Sequence, residues 1–77
     1  MTTDETHLHR LEAVAEAAYD EMYDAGSPSG AAAFYSEAKD AFTDAIALAR
    51  KLGRAEVVAR LEKRLAHIKA VFRSQFT

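Results

Sequence analysis

Apolar residues recur along this chain at alternating spacings of three and four, the period of an α-helix, with two interruptions. Leu8, Leu11, Ala15, Ala18, Met22 and Ala25 form the first stripe and predict a helix over about residues 3–25. Thr2 with Glu5 fits a capping box at its start, where hydroxyl and carboxylate each accept an orphan N–H. Gly26 suits its end, because glycine tolerates left-handed backbone. Gly26-Ser27-Pro28-Ser29-Gly30 is the strongest break in the chain. Ser27, with Pro28 in the first turn, or Ser29 slightly later, can cap a second helix running to about residue 52. Gly53 then stops it, with Arg50 and Lys51 near the negative end of its dipole. Val58, Leu61, Leu65, Ile68 and Phe72 predict a third helix over about residues 54–75. No segment alternates as a strand would.

Both connections are short, so consecutive helices are expected to be antiparallel neighbours. The expected fold is all-α, a three-helix up-down-up bundle forming one domain over residues 1–77. The second helix carries the widest apolar face. Phe34, Tyr35, Ala38, Ala41, Phe42, Ala45, Ile46, Leu48, Ala49 and Leu52 cover an arc of about 160°, where one neighbour needs roughly 100°. A middle helix touching both others explains that width.

Composition agrees with a small helical domain. The chain has 77 residues, 49% hydrophobic and 29% charged, with three Gly and one Pro. So small a core leaves a thin stability margin, which association with a partner would widen. Without cysteine there is no disulfide, thiolate metal site or cysteine nucleophile. The longest apolar runs, Ala31–Tyr35 and Ala45–Ala49, are far shorter than the roughly 20 residues of a membrane span. The start of the chain is acidic and polar, unlike a signal peptide. A cytoplasmic protein with no membrane partner is the expectation. The net charge of −2 disfavours nucleic acid as a partner.

Charge is divided unevenly. Between Asp4 and Asp24 the balance is −6, the second helix is neutral, and Arg54 to Arg73 carries +4. In an up-down-up arrangement the first and third helices run parallel, and the asymmetry modestly favours their pairing. It also disfavours contact between two acidic first helices.

Candidate chemistry is sparse. Arg60, Lys63, Arg64 and His67 form a basic ridge, expected opposite the core stripe and facing water. It reads either as a polyanion contact or, with more in its favour given the acidic total, as a solvated face. Glu12, Glu16 and Asp20 form an acidic stripe beside Tyr23. Di-metal bundles use Glu-x-x-His pairs on two helices, and only Asp4-x-x-His7 comes near that pattern. His7 and His9 point to different sides of a helix, and His67 stands among cations. No phosphate loop or nucleophile motif is present. Tyr19 and Tyr23 read as amphipathic residues at the edge of the first stripe. No metal, cofactor or catalytic residue is assigned.

Some apolar positions fall outside the three main stripes. On the third helix, Val57, Arg64, Ile68, Val71 and Gln75 make a second, weaker stripe, and Ile46 is the outlying residue of the second helix. These and Phe76 are more than three helices are expected to cover. A contact surface for a partner helix or a second copy is one reading, and scattered surface apolars are the other. The candidate partner-binding residues are Ile46, Val57, Val71 and Phe76, framed by Arg60 and Arg64.

Ala38, Phe42 and Ala45 match a small-large-small pattern, and Leu52-Gly53 closes their helix. With Leu11, Val14 and Ala15 as facing positions, the segment resembles one repeat of the tetratricopeptide family plus part of a cap. It departs from that family in the length from Ala15 to Ala38, in the Ser-Pro-Ser-Gly break and in Glu62 where a small residue is usual. The resemblance implies a protein-interaction scaffold without a cofactor. The expected function is thus a non-catalytic helical interaction domain that can self-associate through helices 2 and 3. A polyanion-associated accessory protein using Arg60, Lys63, Arg64 and His67 is the alternative. A small helical enzyme or metal protein assembled at a dimer interface is the third reading.

Overall fold

A computed structural model describes residues 3–75. It contains three helices: α1 (Thr3–Asp24), α2 (Pro28–Lys51) and α3 (Ala55–Gln75). The described part is a three-helix all-α bundle, as the apolar periodicity implies. Thr2, the proposed cap of α1, and Phe76 lie outside the described residues.

Local chemistry sets the helix ends. Ser27 is extended (φ −149°, ψ 156°), and its side chain accepts the Gly30 N–H at 3.1 Å, with Pro28 opening α2. Of the two possible caps, Ser27 is therefore the one used. At the other end Gly53 adopts φ 71°. Its N–H reaches the Arg50 carbonyl at 3.1 Å, and the Arg54 N–H reaches that of Ala49 at 2.9 Å, which is a Schellman motif. The Arg54 carbonyl then accepts from Val57 and Val58, so α3 begins one residue after the expected position. Gly26 differs from expectation. Gly53 is the sole described glycine with positive φ, so α1 ends without a left-handed cap.

The core is centred on α2. Seven of its residues are buried, against five on α1 and three on α3. Five of the seven are alanines: Ala31, Ala38, Ala41, Ala45 and Ala49. They meet an α1 face that includes Ala15 and Ala18, and small residues on both sides let the two helices pack closely along their length. α3 offers Leu61, Leu65 and Ile68 instead and packs less closely on α2. Phe42 is the largest of the fully buried side chains. At the far end of the α2–α3 contact, Tyr35 and Phe72 stack with ring centroids 4.1 Å apart and planes 5° from parallel.

Two expectations about individual residues need correction. Tyr19, placed at the stripe's edge, is buried at 7% exposure, because Arg64 of α3 closes over it. Val14, a facing position in the repeat resemblance, is 44% exposed, since its neighbour Ala15 takes the inward position.

Phe42→Ala should cost about 3–5 kcal/mol, as for other buried aromatic truncations. Val14→Ser should change stability by no more than about 0.5 kcal/mol. Urea unfolding followed by circular dichroism measures both, and a large loss at Val14 would contradict its placement.

Candidate functional site

α1 and α3 meet mainly through long charged side chains. Arg54 pairs with Glu5, Arg60 Nη2 with Glu12 at 2.7 Å, and Arg64 with Glu16. The last is bidentate, with Nε and Nη2 at 2.9 and 2.8 Å from the two carboxylate oxygens. The partners are separated by 49, 48 and 48 residues, so the two helices run parallel and in fixed register. This is where the −6 and +4 faces meet.

Arg64 is the most constrained member. Its guanidinium carbon lies 4.8 Å from the centre of the Tyr19 ring, a cation–π geometry. The hydrogen bond with Glu16 is the main influence raising its pKa. The Tyr19 hydroxyl donates to that of Tyr23 at 3.5 Å, and their rings meet edge to face at 5.3 Å. Burial, followed by that hydrogen bond, pushes the Tyr19 phenol up to about 12, against the opposing pull of Arg64.

The basic ridge is therefore divided. Arg60 and Arg64 turn to α1 and meet carboxylates, while Lys63 and His67 lie beside them on the same shallow surface with Glu16. Arg60, Lys63 and His67 are exposed, as expected, and Arg64 alone is half-buried, because Glu16 and Tyr19 of α1 hold it against that helix. Glu12 and Glu16 become the partners of Arg60 and Arg64.

The expected leftover apolar surface is also reduced. Ile46 is buried at 7% exposure. Val57 and Val71 are half-buried and pack against the core. They share a helix flank with Arg64, so the weaker stripe on α3 is the side turned towards α1. Periodicity showed that stripe without showing its cover. Phe76 lies outside the described residues.

A different face is left with depth. Along the α2–α3 seam, two adjoining hollows share Arg50 and Glu62 as walls. Those two side chains pair across the seam at 2.9 Å. Ile46, Leu65 and Val58 reach the hollows from the core, and Ala47, Ala59 and Ala66 line them at the surface. Sequence reasoning missed this groove. The available signal was the run of exposed alanines beside the core stripe.

Among the described residues, no group of three or more His, Cys, Asp or Glu is placed to hold a metal ion. No described helix is long and apolar enough to cross a membrane. No protein-family model, curated protein or solved structure matches the chain.

Two measurements test the α1–α3 seam. Arg64→Glu should cost about 1 kcal/mol, and adding Glu16→Arg should recover part of that loss. Simple additivity of the two reversals would show that the pair does not couple. For Tyr19, a folded-state value above the unfolded one means the unfolded phenol ionises first. Its contribution is complete below about pH 10 and is lost as pH rises through about 12. Alkaline denaturation should therefore be shallower in Tyr19→Phe over that window, and an unchanged profile would refute the assignment.

Proposed function

We propose that this chain is a small non-catalytic helical module that binds another protein by side-chain packing, with self-association as one form of that activity. The observation that carries the reading is the α2–α3 groove. Its floor is hydrocarbon from the core, and Ala47, Ala55, Ala59 and Ala66 line it between charged side chains. Such a lining favours close approach of another helix, as alanine already does between α1 and α2. The buried Ala38–Phe42–Ala45 spacing supports the likeness to a packing-based repeat scaffold. A cytoplasmic setting belongs to the same proposal.

The polyanion alternative has less support. Two of its four cations, Arg60 and Arg64, already meet carboxylates, and a polyanion would have to compete with Glu12 and Glu16. Retention on heparin at low salt, falling steeply as salt rises, would favour it.

Light scattering after gel filtration, across the micromolar range, gives the mass of the native chain and of Ala66→Glu. A dimer lost in the variant supports self-association through the groove, and a strict monomer removes that form. Pull-down with the native chain, Ala66→Glu and the α1 surface variant Ala17→Glu tests the wider reading. Partners lost with Ala66→Glu alone support it, and identical recoveries from all three oppose it.

A further inference from the structure

The interaction reading leaves the occupant of the α2–α3 groove open, and the charges along the groove narrow it. On α2, Lys39, Thr43, Ile46 and Arg50 follow one flank at spacings of four and three. On α3, Glu62, Ala66, Lys69 and Arg73 follow the facing flank in the same way. Lys39 is tied to this side of the bundle. Its ammonium nitrogen lies 5.5 Å from the centre of the Tyr35 ring, which is itself stacked on Phe72 of α3. Arg73 apart, the flanks carry Lys39, Arg50 and Lys69, and the carboxylates are Glu62 and, at the outer edge, Asp40. Glu62 is already paired with Arg50. The balance along the groove is positive, although the chain as a whole is negative.

That excess separates the possible occupants. A second copy docking groove to groove would set one positive face against another, which disfavours that symmetry. A basic helix is repelled for the same reason. The geometry points to an acidic amphipathic helix of a partner protein. Its small apolar residues would lie over Ile46 and Leu65 between the alanine walls, and its flanking Glu or Asp would face Lys39 and Lys69. The inference rests on the interaction-module reading and adds the chemistry of the partner.

Two synthetic peptides provide the test. Each has about three heptads with Leu and Ala on one face. One is flanked by Glu and the other carries Lys at the same positions. Both are titrated into the ¹⁵N-labelled native chain at low salt. The Glu peptide is expected to bind at least about tenfold more tightly than the Lys peptide. Amide shifts should centre on Thr43, Ala47, Ala66 and Lys69. Ala66→Glu should abolish binding, and Ala17→Glu should leave it unchanged. Equal binding of the two peptides overturns the proposal. So do shifts centred on Lys63 and His67, or no binding of the Glu peptide at about 1 mM. If the Glu peptide fails while Ala66→Glu still abolishes a dimer or a pulled-down partner, the module reading stands and the acidic occupant falls. If Ala66→Glu changes nothing in any assay, both fall.

Discussion

Alanine on both sides of the α1–α2 contact determines how the rest of the bundle is arranged. Ala15 and Ala18 face an α2 surface built on Ala31, Ala38, Ala41, Ala45 and Ala49, so those two helices pack closely. The adjoining face of α2 carries Phe42 and Ile46 and meets Leu61, Leu65 and Ile68, so α3 packs less closely. One helix thus holds two neighbours at different distances. The gap between those neighbours is spanned by arginine and glutamate, whose long side chains reach across it and keep their charged ends near water.

This arrangement gives the lopsided charge a structural role. A first helix at −6 repels itself, and it has no base in its last turn to offset the dipole. Beside a third helix at +4 those acids become partners. Each exposed pair contributes little alone, on the order of 0–1 kcal/mol. Three pairs in one register nevertheless select the parallel alignment of α1 and α3 over a slipped one. Arg64 contributes more than charge, because it also covers Tyr19 and accounts for that residue's burial.

The same arrangement divides the surface into two parts with different prospects. On the α1–α3 side Arg54, Arg60 and Arg64 already meet carboxylates. The α2–α3 side keeps a hollow with alanines in its lining, a floor drawn from the core and Lys69 at its edge. An interaction module has use for the second kind of surface.

Number, order and approximate limits of the helices were legible in the sequence, because they depend on local chemistry. A period of three and four, a serine before proline and a glycine with positive φ each act within a few residues. The central place of α2 was legible too, since an arc wider than one neighbour needs can be counted on a helical wheel. Which residues of a flank stay uncovered was not legible. Ile46, Val57 and Val71 looked like surplus because periodicity records that a face is apolar and says nothing of what lies opposite. Arg60 and Arg64 looked like a free ridge for the same reason, their partners being 48 residues away. The sequence by itself determined three helices, a middle helix and complementary charges. Tertiary structure alone decided which cations are matched and which groove is left, because both depend on the distance between helices that are not neighbours in the chain.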